Sequence, residues 1–250
     1  MRLRQGETDP DSQEIEVFSK WLLMLGEGRL SEPNDGTAEI EIPEDILISD
    51  FQTPIQGIVD NTYPNFLQHY KNYEYLLNRA ILASTIEVVD ELNDHVLGLM
   101  PGENREYFSS NTVDKSEINC DQVLQIFTPE FLASLRTSGL PNHSIKLKVG
   151  TPIMLMRNID QSDGLCNGTR LIVSKLADHV IEATVIGGIN HGNVIYIPRM
   201  DMSPSQSPWP FKLTRRQFPI IVSYAMTINK SQGQSLDYVG LYLPKDVFSH

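Results

Sequence analysis

The sequence has 250 residues, of which 40% are hydrophobic and 21% are charged, a globular composition that is long enough to bury a core. The net charge of −12 argues against nucleic-acid binding through the whole surface, but the acidic excess lies in residues 1–148, so any anionic partner should meet residues 149–250. No apolar run is long enough to span a membrane, and the distant Cys120 and Cys166 favour neither a disulfide framework nor a zinc site, which indicates a reducing compartment.

The N-terminal fifth predicts one helix and one short strand. Asp9 and Pro10 are typical of an N-cap and a first helical residue, and apolar residues follow at helical spacing as far as Leu25. Gly26 is then the expected C′ glycine. Residues 39–42 alternate between Glu and Ile before a proline, which predicts a short edge strand or extended segment.

Residues 51–99 predict an α/β unit. The aromatic residues of 51–78 have loosely helical spacing, which favours one or two helices with these rings in the core. Arg79–Ala83 is a short buried strand candidate. Ser84 and Glu87 fit a capping box, with Ser84 as the N-cap of an amphipathic helix that reaches Leu99. A strand followed by a capped helix is the unit of α/β folds.

The middle of the chain predicts a helix and then a small antiparallel barrel. Thr128 and Pro129 begin the helix, and Asn167–Gly168 is a strong hairpin signal. Residues 199–212 are proline-rich and predict a rigid connector. Five short strand candidates suggest the barrel, and they lie at residues 145–149, 153–157, 170–175, 179–186 and 193–198.

A dense apolar run and a polar motif lie near the end of the sequence. Phe218 to Met226 predicts a buried strand or a helix core, and Thr227 to Gln234 supplies hydroxyl, amide, ammonium and glycine groups suited to holding a polar ligand. An ordinary loop after a strand is the alternative. The chain contains no Gly-x-x-x-x-Gly-Lys-Ser/Thr sequence, so it has no phosphate-cradling loop of the Walker type.

Several stretches in a fixed order resemble the Pif family of superfamily-one DNA helicases, and they look closest to plant forms and to Helitron-type transposon helicases. Arg79 to Thr85 is similar to the motif IV region, and Ala225 to Ser235 is similar to motif V. Leu147 to Asn158 and Gly164 to Leu171 carry the resemblance between them, and even Met1 to Arg4 resembles the segment after motif III. The resemblance covers nearly the whole chain.

The resemblance implies an α/β fold, a RecA-like helicase domain with an inserted small β-barrel of the Src-homology-3 type. Residues 1–50 would be the remnant of a first RecA-like domain. Residues 51–146 and 206–250 would be two segments of the second, called 2A, and residues 147–205 would be the 2B barrel. The P-loop and motifs II and III of the family would precede this sequence, and the arginine of motif VI would follow it.

The resemblance also implies the site residues. Asn229 stands where many family members have histidine, and asparagine still forms hydrogen bonds but carries no charge. The residues expected to contact DNA are Thr227, Asn229, Lys230, Arg157, Asn158 and Lys148. Lys146 is a further candidate, although Lys146 and Lys148 could equally form a solvated strand face. The residues expected toward the nucleotide are Gln232, Gly233, Gln234 and Arg79. An ordinary turn with a structural lysine, and a surface arginine at a strand start, remain the alternatives.

The implied function is the C-terminal portion of an ATP-dependent DNA helicase that moves 5′-to-3′ on single-stranded DNA. Without the Walker motifs and motif VI, the chain alone is expected to be inactive and to bind neither ATP nor Mg²⁺ tightly. The expected partners are single-stranded DNA and an N-terminal ATPase half, with no membrane. A non-catalytic single-stranded nucleic-acid-binding adaptor and a transposon remnant are the alternatives. The expected location is nuclear, with mitochondria as the alternative.

Overall fold

The structure, a computed structural model, describes residues 10–30, 40–113, 127–137, 139–188, 190–204 and 209–245. The chain divides into two compact units, residues 1–49 and residues 50–250. The predictions that involve Asp9, Glu39 and Cys120 lie outside the described residues. Within the described ranges, no helix combines the length and the apolar character that crossing a bilayer requires.

The first unit contains the predicted N-terminal helix, α1, over Pro10–Gly26. The expected C′ position of Gly26 is wrong, because Gly26 is itself helical and Gly28 has the left-handed φ of 67°. The Gly28 amide donates to the Leu25 carbonyl at 3.1 Å, and the Arg29 amide donates to the Met24 carbonyl at 2.8 Å. This pair of bonds is a Schellman motif, which satisfies the last carbonyls of the helix.

Of the two alternatives predicted for residues 39–42, the edge strand is not found in the described part, and the extended segment stays a prediction. Residues 40–42 have no strand assignment and are followed by a turn at residues 44–46. A brief Glu-Ile alternation before Pro43 needs a neighbouring strand to supply hydrogen bonds, and the described part of the chain provides none for it.

The second unit contains most of the regular structure. Its helices are α2 (Pro54–Thr62), α3 (Phe66–His69), α4 (Tyr73–Leu77), α5 (Ile86–Leu99), α6 (Pro129–Ser134) and the 3₁₀ helix η1 (Ile228–Ser231). Its strands are β1 (Arg79–Ala83), β2 (Arg105–Phe108), β3 (Ser110–Val113), β4 (Ser144–Leu147), β5 (Pro152–Leu155), β6 (Arg170–Leu176), β7 (Val180–Val185), β8 (Val194–Pro198), β9 (Met200–Met202), β10 (Leu213–Gln217), β11 (Ile220–Val222), β12 (Ala225–Thr227) and β13 (Tyr238–Tyr242).

A parallel sheet in the order β12-β1-β13 confirms the α/β class. Ile81 pairs with Ala225 on one side and with Gly240 on the other, so β1 is the central strand. Helices α2 and α5 pack against this sheet. Gly240 is required where α2 lies closest, because a Cβ there would overlap the side chain of Thr62. The aromatic residues that were expected in the core include Tyr63, which is 1% exposed.

Helix α5 begins one residue later than the sequence predicts. The N-cap is Thr85 rather than Ser84, and the Thr85 side chain accepts from the Val88 amide at 3.4 Å. Ser and Thr are both good N-caps, so composition does not distinguish two adjacent hydroxyl residues. The helix buries Leu92 and Val96 as expected, while Leu99 is exposed.

An antiparallel sheet in the order β11-β5-β6-β7-β8 accounts for four of the five strands expected in the barrel. The fifth candidate, residues 145–149, is wrong as a member of this sheet, because β4 pairs with β2 instead. Strand β11 takes the remaining place and pairs with β5, with Ile221 opposite Met154. Closure into a Src-homology-3-like barrel and the expected domain boundaries stay predictions.

Strands β3, β10 and β9 form a third sheet, in which β10 is central. Residues 200–202 form β9, so the expectation of a connector without regular structure at 199–212 is wrong there. The Asn167–Gly168 turn does not join two strands directly. It lies within residues 156–169, the connection between β5 and β6, and Gly168 has a φ of 94°.

Candidate nucleic-acid interface

A cleft of about 750 Å³ opens at the carboxyl ends of β1 and β12. Ser84 and Thr85 follow β1 at this edge, Thr227 is the last residue of β12, and residues 228–230 follow it. The amino end of α5 lies at the same edge, and the positive end of a helix dipole favours an anion there. Carboxyl ends of neighbouring parallel strands converge, and ligands bind at that edge in open α/β sheets.

The polar motif turns out of β12 as the single 3₁₀ turn η1. Thr227 has an extended backbone that begins the turn, and the Ser231 hydroxyl donates to the Ile228 carbonyl at 2.7 Å. A 3₁₀ turn places successive side chains about a third of a turn apart, which spreads them around one end of the strand. Thr227, Asn229 and Lys230, three of the expected DNA contacts, therefore all line the cleft.

The turn between β5 and β6 is hydrogen-bonded to the polar motif. The Lys230 ammonium donates to the Asn167 side-chain oxygen at 3.3 Å, and the Gln234 side-chain amide donates to the Gly168 carbonyl at 3.0 Å. Asn158, another expected DNA contact, accepts from the Asn167 amide at 2.8 Å. Asn158 therefore supports this turn, and its expected contact with DNA stays a prediction.

The charge on Lys230 has no acidic partner. Its hydrogen-bond acceptor is an amide oxygen, and among the described residues it forms no ion pair. The other two basic residues of the cleft are paired, Arg136 with Asp90 at 2.9 Å and Lys146 with Asp94 at 3.8 Å. Lys230 is consequently the cleft cation whose charge is available to an anionic ligand.

The expectation that Lys148 points outward beside Lys146 is wrong. Strand β4 ends at Leu147, so the alternation that would expose Lys148 stops before it. Lys148 is 6% exposed, and its ammonium donates to the Met100 carbonyl. Lys146 does lie on the exposed face and lines the cleft. Arg157 is half-buried and donates to the Ser203 carbonyl at 2.8 Å, outside the cleft lining.

The residues expected toward the nucleotide lie outside the cleft lining. Gln232 and Gly233 are exposed, so the Gly233 backbone is accessible to a phosphate oxygen, and Gly233 has the left-handed φ of 83°. Gln234 already donates to Gly168. Arg79 lies between two aromatic rings, with its guanidinium 4.4 Å from the ring centre of Tyr75 and 4.1 Å from that of Tyr238. All four nucleotide contacts stay predictions.

The opposite wall of the cleft carries carboxylates that sequence reasoning missed. Glu87, Asp90 and Asp94 project from α5, and Glu106 projects from β2. Burial raises the pKa of Asp90, although its bonds to Asn142 and the nearby Arg136 act in the other direction. Strands β2 and β4 reach the cleft by pairing with each other, although 35 residues separate Phe108 from Ser144, and periodicity cannot reveal such a pairing.

The same wall carries a histidine that the sequence did not single out. The Nδ1 atom of His143 lies 2.8 Å from the Ser109 hydroxyl, and its ring lies 5.6 Å from that of Phe108. Burial, followed by the charge of Arg215, lowers the pKa of His143. His143 is therefore a neutral ring at neutral pH. In the described ranges, no three His, Cys, Asp or Glu side chains form a metal-binding group.

Comparison with known proteins identifies relatives that are described as DNA helicases. Residues 130–176 match the family model described as DNA helicase Pif1, 2B domain. The ATP-dependent DNA helicase PIF1 of Xenopus laevis is 28% identical over 163 residues, which are 63% of this chain and 22% of that protein. The human protein of the same description is 30% identical over 118 residues, or 46% of this chain and 18% of that protein. The chain thus spans about a fifth of the length of these relatives.

A solved structure of a Pif1 protein is also similar to this chain. The crystal structure of Bacteroides Pif1 bound to single-stranded DNA is 25% identical, with a TM-score of 0.44, and the match covers 68% of this chain and 35% of that one. The RecA-like helicase class that the sequence resemblance implied agrees with the sequence relatives.

Proposed function

This chain is a relative of the Pif1 DNA helicases, and we propose that it is the part of an ATP-dependent DNA helicase that holds single-stranded DNA in the cleft beyond β1 and β12. The same proposal includes three points that rest on the sequence resemblance. They are a closer kinship to plant or Helitron-type forms, 5′-to-3′ movement, and a nuclear location with mitochondria as the alternative.

The observation that carries the proposal is the convergence of three different donors on one cleft. Thr227 offers a hydroxyl, Asn229 an amide and Lys230 an ammonium without an acidic partner. Such donors suit phosphate oxygens and read no base sequence, which a protein that moves along DNA requires. The sequence-independent part of DNA affinity comes from cations at phosphates, so Lys230 should contribute most.

ATP binding and hydrolysis would require a second protein segment in addition to this chain. In a complete helicase, the exposed Gln232 and Gly233 would lie toward ATP and Mg²⁺, whose hydrolysis supplies the energy for movement. The contacts of Lys230 with Asn167 and of Gln234 with Gly168 join the DNA-facing and nucleotide-facing halves of the motif to a single turn. The partner that completes the site would be an N-terminal ATPase half.

Replacing Lys230 tests the proposed DNA site. Lys230→Ala should weaken binding of a fluorescent oligothymidylate about threefold to tenfold in anisotropy titrations, because one charged contact with phosphate is lost. The slope of log affinity against log salt should also fall by about 0.7, the value for one phosphate neutralised on a single strand. Lys212→Ala is the matched control, because Lys212 is exposed and lies outside the cleft lining. Equal losses in both variants would contradict a site at the cleft.

The 250-residue chain by itself should not hydrolyse ATP. No Walker-type loop is present in its sequence to cradle the phosphates, and phosphoryl transfer depends on such positioning and charge stabilisation. A phosphate-release assay with and without single-stranded DNA would measure this, and adding a P-loop-containing N-terminal helicase half should restore activity. DNA-stimulated hydrolysis by the pure chain would refute the proposed division of labour.

A further inference from the structure

Phe108 is a large apolar side chain that the fold leaves in solvent. It ends β2, where Tyr107 is 3% exposed and Phe108 is 56% exposed. Its ring does not stand alone, because the ring of His143 lies 5.6 Å away at an angle of 45°. Because the two rings are inclined to each other, the exposed face of Phe108 is the surface that can accept a third ring, and His143 packs beside it.

The two rings lie beside the cleft. Strand β2 pairs with β4, so that Glu106 is opposite Lys146 and Phe108 is opposite Ser144. Glu106 and Phe108 share one face of β2, because side chains two apart in a strand point the same way. Glu106, Lys146, Ser144 and His143 all line the cleft, which places Phe108 at its rim.

The two walls of the cleft differ in chemistry. The wall from β12 and η1 presents the donors of Thr227, Asn229 and Lys230. The wall from β2, β4 and the residue before β4 presents the Glu106 carboxylate, the His143 ring and Lys146, whose charge is already paired with Asp94 at 3.8 Å. A single DNA strand has an anionic backbone on one side and bases with π faces and N–H donors on the other. Phosphates are repelled by Glu106 and attracted by Lys230, whereas bases suit the carboxylate and the rings.

We propose that Phe108 and His143 form a stacking platform for a nucleobase of a bound single strand, with the strand oriented so that its backbone lies toward Lys230. The proposal rests on the proposed function and adds which side of the cleft the bases face. Stacking on an aromatic side chain tolerates every base, so a platform of this kind adds affinity without sequence preference. The neutral state of His143 leaves it free to act as a ring rather than as a second cation.

Oligonucleotides that keep their phosphates and lose their bases test the platform. Against a normal oligothymidylate, Phe108→Ala should weaken binding about 5-fold to 150-fold, the range for losing one stacked base. The salt slope should stay at the wild-type value, since no charge is removed. Against an abasic strand of equal length, wild type and Phe108→Ala should bind equally. Phe108→Trp should restore affinity, and the fluorescence it adds over the native Trp21 and Trp209 should be quenched by DNA.

Tyr196→Ala is the matched control, because Tyr196 is 64% exposed on β8 and lies outside the cleft lining. Far-ultraviolet circular dichroism of each variant checks that the fold is kept. We expect it to be kept, because both side chains are exposed. If wild type binds the oligothymidylate and Phe108→Ala binds it equally well, the platform is overturned while the DNA site at Lys230 stands. If wild type binds no single strand at low salt, the proposed function fails and the platform fails with it.

Discussion

Replacing Arg170 with methionine is expected to lower the free energy of unfolding by about 3 kcal/mol, because four carbonyls in buried or partly buried contacts lose this donor. Arg170 is 3% exposed at the start of β6. Its guanidinium donates to the carbonyls of Leu77 at 2.7 Å, Leu76 at 3.0 Å, Ser223 at 3.2 Å and Arg79 at 3.3 Å. An unsatisfied buried carbonyl costs about 1–3 kcal/mol, and removing a buried cation recovers part of the sum.

The position of Arg170 explains why the loss should reach the candidate site. Its carbonyl partners lie before and at the start of β1 and between β11 and β12, so it ties the antiparallel sheet to the parallel one. Burial lowers the pKa of Arg170, but the group keeps its proton at neutral pH because an arginine pKa starts above 12. Arg170→Lys should recover only part of the loss, since a compact ammonium cannot span all four acceptors.

Urea unfolding followed by circular dichroism would measure the difference. Arg157→Met is the control on the same sheet region, because Arg157 is half-buried and donates to the single carbonyl of Ser203. It should cost no more than about 1 kcal/mol. Equal losses for Arg157→Met and Arg170→Met would show that the four-carbonyl contact is not what stabilises the junction between the sheets.

Elements with local signals were predicted well from the sequence. Strand β1 has the expected bounds, and helix α6 begins where Thr128 and Pro129 predicted it, with Thr128 as the N-cap whose hydroxyl accepts from the Phe131 amide at 3.2 Å. Both depend on residues within one short window. The cap of α5 was displaced by only one residue, because Ser84 and Thr85 offer the same chemistry.

The apolar run from Phe218 to Met226 shows where sequence reasoning stops. It predicts one buried element, a strand or a helix core, and the structure divides it at Ser223 and Tyr224 into β11 and β12, which belong to different sheets. Both strands are apolar because both pack against other parts of the protein, so the hydropathy of the run does not show where one strand ends and the next begins. Only the pairing of β11 with β5 and of β12 with β1 distinguishes them, and such pairings are non-local.

The sequence predicted the residues of only one wall of the cleft, the wall from β12 and η1. Thr227, Asn229 and Lys230 are consecutive in a short motif, so one resemblance identified all three, and the structure brings them to one cleft. The opposite wall comes from α5, β2 and β4, which no single motif spans. Lys148 was misassigned for a related reason, because alternation was extended one residue beyond the end of β4, where the chain turns to place its ammonium on Met100.

The second large effect is expected at Arg215, which is 1% exposed in β10. It donates to the Asn111 side-chain oxygen at 2.7 Å, the Leu132 carbonyl at 2.8 Å and the Pro141 carbonyl at 2.9 Å. Burial lowers the pKa of Arg215 to about 10, so it remains charged at neutral pH and its hydrogen bonds are charge-assisted. Arg215→Met should lower the free energy of unfolding by about 2–3 kcal/mol, mainly through the carbonyls left without a donor.

The adjacent Arg216 supplies the control for Arg215, because the two share a strand and differ in environment. Arg216 is exposed and pairs with Asp201 at 3.4 Å, a surface ion pair whose loss should cost less than about 1 kcal/mol. Arg215 holds Pro141, two residues before His143, so Arg215→Met should also weaken the stacking contribution of the platform while leaving the salt slope at Lys230 unchanged. Unfolding midpoints of Arg215→Met and Arg216→Met that coincide would mean that the buried guanidinium does not anchor this wall of the cleft.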